Sequence, residues 1–244
     1  MAKISEALNR AGVDLQQASP GAVAKGPDSA AFRPAHNPAI IKLYYTVEAL
    51  KPQNARVVLQ FVAATPGEGT TTIARGYAAI AASEGNQRVL LIDCNPSTSP
   101  HSTQADVRPT LIEAHKQGLP LDQVVTPSKR YANLQLVQLS HSPNPLIEIE
   151  SEDLIAMFAA LREDYPTIIL DCAPANQAPD SIAMSRYCDG TILVVRAEGV
   201  RSAVIKSVQD NIKLVGGQII GAVFNRRNVY IPKWLYLSLF SSSV

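Results

Sequence analysis

Cysteine is scarce in this chain, and its three cysteines, Cys94, Cys172 and Cys188, are too few and too irregularly spaced for a disulfide framework or a zinc site. No apolar run approaches the roughly 20 residues needed to cross a bilayer. Neither sign of charge is in excess. The formal net charge of +1 gives no general reason to expect nucleic acid as a partner. The opening residues, 1–12, are amphipathic and predict a helix rather than a secretory signal. We therefore expect a cytoplasmic globular protein.

The composition divides the chain into three parts. Residues 1–37 combine the N-terminal helix with a linker rich in proline, glycine and alanine, and residues 38–229 carry the apolar segments of one large domain. Residues 230–244 form a basic and aromatic tail. That tail can pack as a terminal helix over the domain, dock on a partner subunit or lie on an anionic membrane surface. We favour packing or docking, because the apolar face is short.

Apolar strands alternate with helical segments through the large domain. Strands are predicted at 56–64, 88–93, 133–139, 167–171, 190–197 and 219–225, and helices at 38–50, 70–85, 111–118, 151–164 and 202–217. Ser151, followed by Asp153, is interpreted as the start of a capping box. Continuous apolar strands in this alternation predict a mainly parallel sheet with helices on both faces. The fold class is therefore α/β, of the P-loop NTPase type.

A glycine-rich loop at residues 64–72 follows the first of these strands and opens a helix. Backbone N–H groups and a helix N-terminus hold phosphate in that setting. The usual pattern is G-x-x-x-x-G-K-[ST], in which Gly69 and Thr71 match, while Ala64 replaces the first glycine and Thr70 replaces the lysine. The alternative is a glycine-rich turn that binds nothing. The residues predicted to hold nucleotide are Pro66, Gly67, Glu68, Gly69, Thr70, Thr71 and Thr72.

Two apolar strands end in an aspartate, Asp93 in one and Asp171 in the other. At strand carboxyl ends beside a phosphate loop, such carboxylates can hold Mg²⁺ or its water, together with the Thr71 hydroxyl. The alternative for either aspartate alone is that it caps the following turn. Cys94 and Cys172, which directly follow them, are interpreted as small packing residues rather than a redox or metal pair.

Several segments, taken in order, follow a pattern known from one group of proteins. They are PGEGTTTIARGYA, VLLIDCNPS, YPTIILDCAPA, CDGTILVVRAEGVR and IIGAVFNRRN. In order and spacing they resemble the cytoplasmic kinase domain of bacterial tyrosine kinases of capsule and exopolysaccharide synthesis. These kinases belong to the deviant-Walker group, which includes the chromosome-partitioning and septum-site ATPases. The resemblance runs across nearly the whole chain.

The resemblance implies a nucleotide site and a membrane partner. It implies ATP or ADP with Mg²⁺ as cofactors, Asp93 as a base or a ligand of the Mg²⁺ water, Asp171 as the Walker B residue, and Asn225 beside the nucleotide base. Asn225 can equally be a plain turn residue. The implied partner is a transmembrane polysaccharide chain-length or co-polymerase protein, which would hold the chain at the inner membrane. A homo-oligomer is also implied, and nucleic acid is not.

The sequence also departs from the family pattern. Thr70 replaces the loop lysine, Asn95 replaces the second aspartate of D-x-D, and Ser97 replaces its arginine. The segment 40–50 lacks the family's arginine-bearing oligomerisation motif, and tyrosine is sparse in the tail. These departures favour a regulatory or scaffolding nucleotide-binding protein with weak or lost phosphoryl transfer. The alternatives are an active tyrosine autokinase of the same system and a partitioning or positioning ATPase.

Overall fold

The computed structural model describes residues 14–16, 37–52, 55–85, 87–95, 108–197 and 200–227. The predicted N-terminal helix, most of the linker, Ser97 and the tail from residue 230 onward lie outside these residues. The division of the chain into three parts stays a prediction. Within the described part, no helix is long and apolar enough to cross a membrane.

The core of the protein is one eight-stranded sheet. Its strands are β1 (Asp14–Gln16), β2 (Val57–Ala63), β3 (Val89–Cys94), β4 (Thr126–Pro127), β5 (Leu134–Gln138), β6 (Thr167–Cys172), β7 (Gly190–Arg196) and β8 (Ile219–Arg227). They lie in the order β1-β8-β7-β2-β6-β3-β5-β4. The β4–β5 pair is antiparallel, and every other pair is parallel. The predicted α/β fold with a mainly parallel sheet is confirmed.

Helices cover both faces of this sheet. They are α1 (Pro38–Leu50), α2 (Thr70–Glu84), α3 (Leu111–Gln117), α4 (Ser151–Asp164), α5 (Asp180–Ala183) and α6 (Ser202–Leu214), with 3₁₀ turns at Leu121–Gln123, Pro145–Ile147 and Met184–Tyr187. Two separate clusters of buried side chains result, one that includes α1 and α2 and another that includes α3, α4 and α6. In β2, Leu59 and Phe61 belong to the first cluster, while Val58 and Val62 belong to the second. This alternation explains why a central strand is buried throughout and almost entirely apolar, with Gln60 its one polar residue.

Some local features differ from the sequence-based expectations. The short strands β1 and β4 were not predicted, and each forms at an edge of the sheet, where an existing strand offers unpaired backbone groups. Helix α4 begins at Ser151 as predicted, but Glu150 is its cap residue and no side chain caps it. The capping box predicted there is therefore wrong. A capping box forms instead at α3, between Thr110 and Glu113.

The order of the strands decides where the site lies. Strand β6 lies between β2 and β3, so these three strands end side by side at one edge of the sheet. The glycine-rich loop leaves the carboxyl end of β2, while Asp93 and Asp171 lie at the ends of β3 and β6. Ligands of open α/β sheets bind at this carboxyl edge.

Candidate functional site

The phosphate loop, residues 64–72, passes from β2 into the first turn of α2. Gly67 and Gly69 have φ angles of 80° and 97°, in the left-handed region that glycine adopts without strain. Gly69 is also the cap residue of α2, which starts at Thr70. Successive backbone N–H groups in such a turn, followed by a helix N-terminus, make a concavity suited to an anion.

The carboxylate of Glu68 holds this loop in its conformation through hydrogen bonds. Its side chain is almost completely buried. One carboxylate oxygen accepts hydrogen bonds from the Thr65 N–H at 2.6 Å and the Thr65 hydroxyl at 3.0 Å. The other oxygen accepts from the Arg196 N–H, at the end of β7, at 3.0 Å. Only the backbone of Glu68 is therefore available to a phosphate, because its side chain is used to shape the loop.

Asn225 holds the loop from the side. It lies on β8, is buried, and donates a hydrogen bond from its amide nitrogen to the Glu68 carbonyl at 2.8 Å. A β-carbon on Gly69 would stand 2.1 Å from this same nitrogen, so the two residues are packed as closely as glycine allows. The structure thus gives Asn225 a contact with the loop. Its expected place beside a nucleotide base stays a prediction.

The segment after β6 closes the other side of the loop. The Ala175 N–H donates to the Ala63 carbonyl at 2.9 Å, and the Asn176 N–H donates to the Ala64 carbonyl at 3.2 Å. These bonds tie the loop to the strand that carries Asp171. The phosphate loop is thus preformed by contacts with β6, β7 and β8.

Asp93 and Asp171, which we call the acidic pair, face each other across neighbouring strands at matched register positions. The Thr71 hydroxyl donates to Asp171 Oδ1 at 3.2 Å, and the Asn95 N–H donates to Asp93 Oδ1 at 2.9 Å. Asp171 is fully buried, and its Oδ2 has no hydrogen-bond partner. The three predicted metal ligands, Thr71, Asp93 and Asp171, therefore do lie together.

Burial is the main reason that the pKa of Asp171 rises from 3.8 to about 7. The nearby carboxylate of Asp93 raises it further, whereas Arg75 and the Thr71 hydrogen bond lower it. A carboxyl group with a pKa near neutrality can exchange a proton at physiological pH.

Arg75 is the site residue that the sequence-based predictions missed. It extends from α2, one helical turn after Thr71, and is buried. Its Nη2 lies 3.4 Å from Asp93 Oδ2, and its Nε lies 3.9 Å from Asp171 Oδ2. A guanidinium group thus contacts both carboxylates of the acidic pair. The spacing of four residues from Thr71 is the one sequence signal that could have placed it on this face of the helix.

The remaining predicted residues lie on the loop or close behind it. Thr70 is buried at the start of α2, Thr72 is half-buried, and Pro66 is exposed. Cys94 and Cys172 are free thiols at matched positions of β3 and β6. Interaction with the neighbouring Cys172 thiol, with loss of solvation, raises the pKa of the Cys94 thiol well above its usual range. The described ranges contain no group of three His, Cys, Asp or Glu residues that could hold a metal ion.

The curated proteins that are similar to the chain in sequence include two from different organisms. The tyrosine-protein kinase CpsD of Streptococcus pneumoniae is 25% identical over 191 residues, which cover 72% of this chain and 79% of that protein. The chain is similar to the bacterial tyrosine kinases. The putative tyrosine-protein kinase CapB of Staphylococcus aureus is 29% identical over 98 residues, 40% of this chain and 43% of that protein. No family model matches the chain.

Solved structures agree with this similarity. The kinase domain of VpsO superposes with a TM-score of 0.65 at 25% identity, covering 77% of this chain and 92% of that one. The chimeric protein CapA2B2 has a TM-score of 0.69 at 19% identity and covers 93% and 99%. The septum site-determining protein MinD of Pyrococcus horikoshii, solved with Mg-ADP, has a TM-score of 0.51 at 20% identity and covers 75% and 76%. The last two similarities establish the fold alone. The resemblance predicted from the sequence is confirmed.

Proposed function

We propose that this protein binds ADP or ATP at the phosphate loop and acts as a regulatory or scaffolding protein of exopolysaccharide synthesis and export. The preformed loop is the observation that carries this proposal. Gly67 and Gly69 keep the conformation that an anion-binding turn requires, and the buried Glu68 and Asn225 hold it in place. A turn that bound nothing would gain little from so many buried polar contacts, since each polar group must be desolvated to form them.

Weak or lost phosphoryl transfer is the second part of the proposal. The transition state gathers charge on the transferred phosphoryl group, and a loop lysine normally stabilises that charge. Thr70 carries no charge, and Asn95 stands where the family has its second aspartate. Arg75 does bring a positive charge to the site, but its guanidinium contacts Asp93 and Asp171. An active autokinase would require Arg75 to turn from these carboxylates toward the nucleotide.

The proposed setting is the cytoplasmic face of the inner membrane. Relatives named as tyrosine-protein kinases CpsD and CapB, and the fold of the CapA2B2 chimera, support a transmembrane polysaccharide co-polymerase as the partner. The same proposal includes a homo-oligomer. It also assigns nucleotide binding to four further residues of the loop, Pro66, Thr70, Thr71 and Thr72. A partitioning or positioning ATPase has only a shared fold in its favour, through the MinD structure.

Titration calorimetry with ADP and ATP tests the nucleotide site. The expected affinity is weak, because losing one charge-assisted contact costs about 1.5–3 kcal/mol, or roughly ten- to a hundredfold. Gly69→Ala should abolish binding, whereas Gly118→Ala, another glycine of positive φ far from the loop, serves as the matched control. A folded protein without detectable binding at millimolar nucleotide would show that the site is vestigial.

Phosphotyrosine analysis tests whether phosphoryl transfer is weak or lost. Incubation with ATP and Mg²⁺ should leave little or no phosphotyrosine on the protein, including Tyr230 and Tyr236. Robust autophosphorylation that disappears in Asp93→Asn and Asp171→Asn would replace the proposal with a working kinase.

Fractionation of cells tests the setting. The protein should sediment with membranes only when a transmembrane co-polymerase is co-expressed. Tight binding of the isolated protein to anionic vesicles, lost on deletion of residues 230–244, would instead establish direct attachment to lipid.

A further inference from the structure

The acidic pair already has a cation, and the cation is part of the chain. Arg75 places Nη2 3.4 Å from Asp93 and Nε 3.9 Å from Asp171. Only 6% of its side chain is exposed, compared with 52% for Arg88 in its surface ion pair with Asp164. A buried guanidinium between two carboxylates is a specific arrangement, because each desolvated charge needs an opposite charge nearby.

A positive charge is needed here because the strand register brings two carboxylates close together. Asp93 and Asp171 stand at matched positions of neighbouring strands, so two like charges are brought together, one of them fully buried. In proteins of this fold, the corresponding carboxylates serve Mg²⁺. Arginine meets the same requirement permanently, because it stays protonated at every physiological pH.

The residues as arranged do not fit a magnesium ion well. Mg²⁺ requires nearly octahedral oxygen ligands and keeps several of its waters. Here the guanidinium occupies the space against both carboxylates, and the Thr71 hydroxyl donates its hydrogen to Asp171. The described residues offer no group of three acidic, histidine or cysteine side chains in compensation.

We propose that Arg75 is the resident cation of this site and stands in for the divalent ion, so that the chain binds nucleotide without needing Mg²⁺. This inference concerns the site of the proposed function. The role of Arg75 can be tested with a metal ion and no nucleotide. Failure of that test would therefore leave the proposed nucleotide binding undecided, and failure of nucleotide binding would leave the role of Arg75 undecided. Removal of the guanidinium should expose a divalent-cation site made of Thr71, Asp93 and Asp171.

Electron paramagnetic resonance with Mn²⁺ alone measures this directly. Wild-type protein should bind Mn²⁺ weakly, and Arg75→Met, which keeps most of the side-chain length without the charge, should bind it about tenfold more tightly or better. Arg75→Lys should stay close to wild type, because a positive charge remains. Arg88→Met removes an arginine from the surface ion pair and should leave Mn²⁺ affinity unchanged.

A second measurement on wild-type protein keeps the proposal testable if Arg75→Met does not fold. Millimolar Mg²⁺ should not change the melting temperature of the wild type, and chelation of divalent ions should not weaken any ADP binding. A rise of several degrees with Mg²⁺ would mean that the native state binds the ion and would overturn the proposal. Equal Mn²⁺ affinity in wild type and in Arg75→Met would overturn it as well.

Discussion

On one side of the site, the phosphate loop is held by hydrogen bonds from Thr65, Arg196 and Asn225 to a single buried residue, Glu68. On the other side, the acidic pair is held against a charged partner, Arg75. The first side has the geometry of an anion-binding turn, but Thr70 stands where the usual loop pattern has a lysine. The second side carries two strand-end aspartates, Asp93 and Asp171, and a positive charge from Arg75 beside them.

This difference indicates what each side can still do. Hydrogen bonds to a buried anchor preserve a backbone conformation, and backbone N–H groups are what bind phosphate. An internal ion pair neutralises carboxylates, and free carboxylates are what organise Mg²⁺ for phosphoryl transfer. We therefore expect that changes on the loop side alter folding and binding, whereas changes on the acidic side alter responses to pH and ions.

Glu68→Ala should destabilise the protein more than any other change on the loop side. It removes the acceptor of three hydrogen bonds and leaves the Thr65 and Arg196 N–H groups unpaired, which should lower the free energy of unfolding by about 3 kcal/mol. Urea unfolding measures this loss. Glu163→Ala, at an exposed position of α4, is the control and should have little effect. If both variants lose the same stability, Glu68 does not anchor the loop.

Gly69→Ala and Gly67→Ala form a matched pair that separates strain from close packing. Both residues have positive φ, so either alanine should cost about 1 kcal/mol from the backbone conformation. At Gly69 the new methyl group would also meet Asn225 at 2.1 Å, whereas at Gly67 nothing lies within 4 Å. We expect about 2 kcal/mol for Gly69→Ala, with the excess due to overpacking. Equal losses in thermal unfolding would mean that Asn225 can move aside.

The acidic pair should make the free energy of unfolding depend on pH. Because the pKa of Asp171 rises to about 7, the native state keeps a proton that the unfolded chain releases above about pH 4. The free energy of unfolding should thus fall as pH rises from 5 to 7, by about 1–2 kcal/mol, and level off above that range. Asp171→Asn should remove this fall, and Asp210→Asn, on the exposed face of α6, should not. An unchanged pH profile in Asp171→Asn would show that another group titrates.

The sequence predicted the large elements of the fold well, for physical reasons. Helix α1 runs from Pro38 to Leu50 as expected, because Asn37 caps it and Pro38 suits its first turn. Strand β2 is buried throughout, and apolar except at Gln60, because the sheet is covered on both faces. Strand β1 has three residues, too few for any periodicity, and exists through its pairing with β8. Such an element depends on a distant edge rather than on its own sequence.

The site could be predicted only in part. Thr71, Asp93 and Asp171 were brought together correctly, because parallel strands end at one edge of the sheet. Arg75 lies beyond the glycine-rich pattern, in a helix, where arginine is ordinarily exposed. The inward side chain of Glu68 depends on a hydrogen bond from β7, more than a hundred residues away in the chain. Contacts of that kind follow from the packing of whole elements.

Thr70→Lys sharpens the comparison by returning the missing charge to the loop side. An ammonium group near the phosphates should strengthen ADP binding by roughly tenfold, the lower end of the effect expected from one charge-assisted contact. Calorimetry measures the gain, and Ser202→Lys, at the exposed first position of α6, is the control. Hydrolysis should recover less than binding, because the acidic pair remains neutralised and Asn95 supplies no carboxylate. Thr70→Lys combined with Asn95→Asp should therefore hydrolyse more ATP than either single variant. If Thr70→Lys alone instead hydrolysed ATP as fast as the double variant, the acidic side would not limit phosphoryl transfer. The two sides of the site would then not differ as proposed.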